Sequence, residues 1–151
     1  MTSLSENASS SSSKITSFYR GKSVFITGST GFLGKVLVEK LLRSCPALKT
    51  IYLLIRPKKG REPHERLSEI IDVKLFDKVK TQYSEAEIDI KSKLCVVHGD
   101  LCSPGLGLSD ETRRELIENV NIIFHSAATL RFDEPLKLVV SFIHIWAIFN
   151  N

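Results

Sequence analysis

A chain of 151 residues with 42% hydrophobic and 25% charged content has the make-up of one ordinary globular domain, neither too polar to build a core nor apolar enough to be a membrane protein throughout. Its net charge of +4 comes from Lys and Arg scattered along the chain, which argues against a nucleic-acid interface. The three cysteines, Cys45, Cys95 and Cys102, lack metal-ligand spacing, so no metal site is expected, and they suit thiols kept reduced inside a cell.

Residues 1–17 are Ser-rich, with neither the basic start nor the apolar centre of a secretory signal, and read as a disordered tail. Order is expected from about Phe18. Ser23 to Thr27 (SVFIT) reads as a short buried strand running into a glycine turn. Phe32 to Arg43 follows as a helix, with apolar residues at Phe32, Leu33, Val36, Leu37, Leu41 and Leu42, and Pro46 lies just past its end. Thr50 to Ile55 (TIYLLI) is almost wholly apolar, as a parallel strand covered on both faces should be. Arg56 and Pro57 end it and open a basic cluster, Arg56, Lys58, Lys59 and Arg61, suited to a compact polyanion.

Pro63 to Tyr83 has helical character, as one helix or two. Lys93 to His98 (KLCVVH) is a third strand, in which Cys95 reads as a small core residue. A Gly/Pro-rich loop leads to a helix over Asp110 to Asn119, with Ser109 as its N-cap and Asp110 and Glu111 favourable in the first turn. Asn121 to Phe124 is a fourth strand, ending in His125, Ser126, Ala127, Ala128 and Thr129. Strands alternating with helices predict a Rossmann-like α/β fold, a doubly wound parallel sheet of order 3-2-1-4, stopping after about the fourth strand.

Gly28, Gly31 and Gly34 are spaced G-x-x-G-x-x-G between that first strand and first helix, the context a dinucleotide-binding turn requires. Gly28 allows the tight turn, Gly31 lets backbone approach a pyrophosphate, and Gly34 lets the helix pack closely on the strand. The helix N-terminus then offers N–H groups and partial positive charge to phosphates. A nucleotide-triphosphate loop fails on two counts, since Ser29 stands where its first glycine belongs and Val36 follows Lys35 in place of Ser or Thr.

An NAD site carries an acidic residue at the end of the second strand to bond the ribose 2′-hydroxyl; here Arg56 stands there, which suits the 2′-phosphate of NADP, the alternative being a solvated basic loop. Asp100 lies where the third strand's end would meet adenine, and is otherwise a turn or cap residue. The small residues closing the fourth strand leave room for the nicotinamide-side ribose. His125 among them is read as a hydrogen-bonded structural histidine in preference to a proton carrier.

With those residues in place, the chain resembles the alcohol-forming fatty acyl-CoA reductases of animals, within the extended short-chain dehydrogenase/reductase superfamily. The matching pieces are VFITGSTGFLGKVLVEKLLRSCP, IYLLIRPKKG, ERL with LFDK, GDL, LGLS and NIIFHSAATLRFDEPLK, covering about Phe18 to Lys137. The resemblance implies an NADP(H)-binding domain over residues 18–137 of an oxidoreductase that reduces long-chain fatty acyl-CoA to a primary alcohol in two hydride transfers. Its implied cofactor residues are Thr27, Gly28, Ser29, Thr30, Gly31, Phe32, Leu33, Gly34, Arg56, Asp100 and Leu101, with Ala127, Ala128 and Thr129 toward the nicotinamide. Products of such enzymes feed wax, ether-lipid and pheromone pathways, and the family implies an intracellular place at peroxisomal or other membranes.

The superfamily's Tyr-x-x-x-Lys pair is absent: four residues past Tyr19, Tyr52 and Tyr83 stand Ser23, Arg56 and Glu87. No catalytic residue is therefore assigned. Past Lys137 the match decays, and residues 138–151 form an apolar tail (LVVSFIHIWAIF and Asn150-Asn151) too short to span a bilayer alone. A core helix and a truncated or mis-spliced product both account for it, the second being favoured. Two functions follow as expectations: an N-terminal reductase fragment inactive alone, or a non-catalytic NADP-binding relic or regulatory partner.

Overall fold

The computed structural model describes residues 13–56 and 63–128. Four strands, β1 (Ser23–Thr27), β2 (Thr50–Ile55), β3 (Leu94–His98) and β4 (Ile122–His125), form one parallel sheet of order β3-β2-β1-β4. The helices are α1 (Lys14–Tyr19), α2 (Phe32–Ser44), α3 (Pro63–Ile71), α4 (Asp77–Glu85) and α5 (Asp110–Asn119). The topology is the one the alternating pattern predicts. Three parallel pairings, each needing a crossover, account for the helices between strands.

Every residue of β1 is buried, because helices cover both sheet faces. Side chains alternate along the strands and so divide between two cores. Val24, Ile26, Ile51, Leu53 and Ile55 face α2, α3 and α4, meeting Val38, Leu42, Ile70 and Val79. Phe25, Tyr52, Leu54 and Val97 face the other way, toward Leu106 in the Pro104–Gly107 turn and Leu116 of α5. Each fully buried aliphatic or aromatic side chain contributes roughly 1.5–3 kcal/mol, so these layers hold the strand ends rigidly.

Two local differences from the sequence reading, and one point it left open, have physical causes. The helix α1 begins at Lys14, ahead of Phe18, because Tyr19 packs on the first core and carries the preceding turn with it. The Pro63–Tyr83 region divides into α3 and α4 around a 3-10 turn at Lys74–Phe76, where Phe76 is fully buried. In α2 the buried stripe is Gly34, Val38, Leu41 and Leu42; Phe32 and Leu33 are 86% and 64% exposed at the helix start. Gly34 is the reason for that rotation, since it is the residue that touches the turn after β1. Residues 1–12, the loop residues Lys58, Lys59 and Arg61, and the 138–151 tail lie outside the described residues.

Candidate functional site

Parallel pairing brings all four strand C-termini to one edge. The register sets Thr27 beside His125 and Ile55 beside His98, so the loops that follow share that edge. The strand order reverses between β1 and β4, which is where an open parallel sheet leaves a crevice for a ligand.

The glycine turn occupies that reversal point. Gly28 has φ +72°, a conformation that disfavours any side chain. A Cβ there would stand 2.6 Å from the Ala127 nitrogen and 2.8 Å from the Ser126 carbonyl carbon, so Gly28 also admits the β4 loop. At Gly34 a Cβ would run into the Gly28 carbonyl oxygen and stand 2.7 Å from the Ser29 Cα. Gly31 is the N-cap of α2, so no side chain caps the helix, and the Lys35 N–H makes the first bond back to the Gly31 oxygen at 3.0 Å. The N–H groups of the first helical turn have no carbonyl a turn ahead of them. This is a backbone cradle from which side chains are excluded, and its shape and polarity fit a pyrophosphate.

Side chains around the cradle lock it to the strands. Thr27 is buried and its hydroxyl lies 2.7 Å from His125 Nδ1. The Ser126 hydroxyl donates to the Thr27 carbonyl at 2.7 Å, and the Ser29 hydroxyl, fully buried, donates to the Leu54 carbonyl at 3.4 Å. Thr27 and Ser29 therefore turn their side chains inward and offer a ligand only backbone. Thr30 is half-buried, and Phe32 and Leu33 project from the first turn of α2. His125 is exposed but tied through one ring nitrogen to Thr27, a positioning bond between the paired strands β1 and β4.

The adjoining strands end in opposite charges. Arg56, after β2, has a side chain 67% exposed, and its Nη1 is 4.0 Å from Asp100 Oδ2. The other carboxylate oxygen of Asp100 accepts the Cys102 N–H at 3.0 Å. Asp100 is thus both a turn residue and a neighbour of Arg56, and the exposed pair is a weak tether. Leu101 packs beside the second core. Ala127 is half-buried and Ala128 exposed at the mouth of the crevice; Thr129 lies outside the described residues.

Two features of this edge escaped the sequence reading. Gly99 precedes Asp100, and a Cβ on it would meet the Leu106 carbonyl at 2.6 Å and Leu54 Cδ1 at 2.7 Å, so it lets the loop 100–108 close on β2. The Arg66 guanidinium, from α3, donates to the Arg56 carbonyl oxygen. Both residues lie within the pieces GDL and ERL, but their partners carry no local signal, because those segments meet only after folding. Among the described residues, no cluster of His, Cys, Asp or Glu could hold a metal ion, and no helix is long and apolar enough to cross a membrane.

Residues 26–142 match the NAD-binding family described as male sterility protein, a span that takes in the glycine turn, Arg56, Asp100 and the β4 loop. The chain is 50% identical over 123 residues to fatty acyl-CoA reductase 1 of Gallus gallus, with 82% of this chain and 23% of that protein aligned. With fatty acyl-CoA reductase 2 of Homo sapiens it shares 48% identity over 128 residues, 85% of this chain and 24% of the relative. Its fold is similar to the reductase domain of a non-ribosomal peptide synthetase from Mycobacterium tuberculosis, with a TM-score of 0.66 at 29% identity, covering 86% of this chain and 30% of the other. The chain therefore spans about a quarter of the length of these curated relatives.

Proposed function

Because this chain belongs to the male sterility protein family of NAD-binding domains, we propose that its residues 18–137 form the NADP(H)-holding part of an alcohol-forming fatty acyl-CoA reductase. The observation that carries the reading is the side-chain-free cradle at the β1–β4 reversal, with a guanidinium and no carboxylate directly after β2.

The backbone from Gly28 to Gly34 and the start of α2 would hold the pyrophosphate. Arg56 would pair with the 2′-phosphate, Asp100 and Leu101 would border the adenine, and Ala127, Ala128 and Thr129 would leave room for the nicotinamide half. Two NADPH molecules, bound in turn, would each supply one hydride: one for reduction of an acyl thioester to an aldehyde with release of the coenzyme A thiol, one for reduction of the aldehyde to a primary alcohol. Proton delivery to the carbonyl oxygen is assigned to none of these residues, since no Tyr-x-x-x-Lys occurs in the sequence. A fatty acyl-CoA substrate is proposed from the names of the relatives above, and a location at peroxisomal or other membranes only from the family resemblance read in the sequence. The alternative reading is a non-catalytic NADP-binding partner of a complete reductase.

Isothermal titration of the chain with NADPH and NADH tests the cofactor assignment. Arg56→Ala is expected to weaken NADPH at least about tenfold, as loss of a charge-assisted pair does, while leaving NADH within about twofold. Folded protein that gives no heat with either dinucleotide would sink the reading.

A further inference from the structure

We propose that Leu106 is a positioning residue for the adenine end of the cofactor site: it holds the loop 100–108 in a strained turn that fixes Asp100, and through Asp100 it raises affinity for the dinucleotide. The inference rests on the NADP reading above.

The turn Pro104–Gly107 is wound left-handed, with φ of +60° at Gly105, +60° at Leu106 and +63° at Gly107. Glycine takes that conformation freely, whereas a Cβ in it crowds the following carbonyl oxygen. Among the described residues Glu87 and Leu106 are the non-glycine positions that do so. Glu87 is exposed just past α4, where helices commonly close with such a residue. Leu106 ends no α-helix, and local preference would put a third glycine there. Its side chain is instead 4% exposed, in the second core with Phe25, Leu54 and Val97. Burial of the leucine is what holds the strained backbone in place.

The strain has a product at the site. Left-handed winding sends the Leu106 side chain into the core and its carbonyl back to the end of β3, where that oxygen accepts the Asp100 N–H at 2.8 Å. Gly99 permits the approach, since a Cβ on it would stand 2.6 Å from the same oxygen. The Asp100 carbonyl accepts the Ser103 N–H at 3.0 Å, and its Oδ1 accepts the Cys102 N–H at 3.0 Å. Asp100 is thereby held from its own loop at the N–H, the carbonyl and one carboxylate oxygen, and Oδ2 is left facing Arg56 at 4.0 Å. A carboxylate fixed before the ligand arrives need not be ordered at binding, and that saving appears as affinity. A relaxed turn could bury a leucine equally well, but it would not carry the carbonyl to Asp100.

A purely structural role, with Leu106 as one more core side chain, predicts a different pattern. NADPH and adenosine 2′,5′-bisphosphate would be titrated into the full 151-residue chain as parent, Leu106→Met, Leu106→Gly, Asp100→Ala and the Leu106→Gly, Asp100→Ala double variant, each with a thermal melt. Leu106→Ala, a smaller truncation, replaces Leu106→Gly throughout if that variant is unfolded at the titration temperature. Expected is a loss of about fivefold or more for both ligands in Leu106→Gly, with Leu106→Met, which keeps the apolar anchor, within about twofold of the parent. Adding Leu106→Gly to Asp100→Ala is expected to cost no more than about twofold further, because two residues acting through one group are not additive. Similar losses from Leu106→Gly with and without the Asp100 carboxylate, or parental affinity in folded Leu106→Gly, overturn the proposal. Parental affinity in Asp100→Ala also overturns it while leaving the cofactor reading standing. Folded parent protein that binds neither ligand removes that reading and this inference together.

Discussion

At Gly28 a methyl group meets two penalties at once. Its positive φ costs an L-residue roughly 1–2 kcal/mol, and the new Cβ would stand 2.6 Å from the Ala127 nitrogen, where backbone has to move. Gly31 is different, since a Cβ there meets only the Gly28 oxygen at 3.3 Å. Gly28→Ala is therefore expected to lower stability by about 2 kcal/mol or more and to weaken NADPH at least about tenfold, because the β4 loop and the turn separate together. Urea unfolding and titration of the refolded variant check both; a fully stable variant with parental affinity would show that the turn is not as tightly packed as drawn. The motif's spacing pointed to these glycines before any fold was known. The inward-turned hydroxyls of Thr27 and Ser29 could not be read that way, since their acceptors lie on neighbouring strands.

At the scale of elements, the link between β2 and α5 is sensitive to pH. Tyr52 is buried on the second face and its hydroxyl donates to Glu115 of α5 at 3.3 Å. Burial, then the charges of Glu115 and Cys95 and the bond to Glu115, push the phenol from 10.0 up to about 12. A phenol that is harder to ionise in the folded chain stabilises it fully below the unfolded value, and that stability drains away as pH climbs from about 10 to about 12. Tyr19 and Tyr83 are shifted upward by burial too and add to the same trend. Urea midpoints compared at about pH 8 and about pH 11 should fall for the parent and fall distinctly less for Tyr52→Phe. An identical fall in both proteins would assign the effect to the other phenols and to the Cys45 and Cys95 thiols, which burial also shifts upward. Strand and helix positions around this link were legible from apolar runs, the Pro46 stop and the Ser109 cap, whose hydroxyl does accept the Thr112 N–H. The rotation of α2 was not, because Val36 and Val38 are chemically alike and only contact with Gly28 selects the buried one.

For the whole molecule, the described sheet presents one wall of a crevice, and the aligned relatives are about four times as long as the matched span. The chain is expected to bind NADPH yet leave its nicotinamide absorbance unchanged with a long-chain acyl-CoA, as no residue here is assigned to protonate a carbonyl. Acyl-CoA-dependent loss of that absorbance, abolished by Gly28→Ala, would overturn the assignment of binding without turnover. Titration that succeeds while turnover fails leaves the fragment and the binding-partner readings both standing, and restoring turnover by adding the remaining length of a relative would favour the first.

Local periodicity and punctuation were enough to determine the order of strands and helices, the parallel sheet and the glycine cradle, because each is dictated by residues close together in the chain. Arg56 likewise declared itself by position, directly after a strand and where a carboxylate is the alternative. Tertiary structure alone decided that Asp100 stands beside Arg56, that Arg66 returns to the same strand end, and that Thr27 and His125 fasten β1 to β4. Those relations join residues distant in sequence, and only the closing of the sheet sets the distances between them.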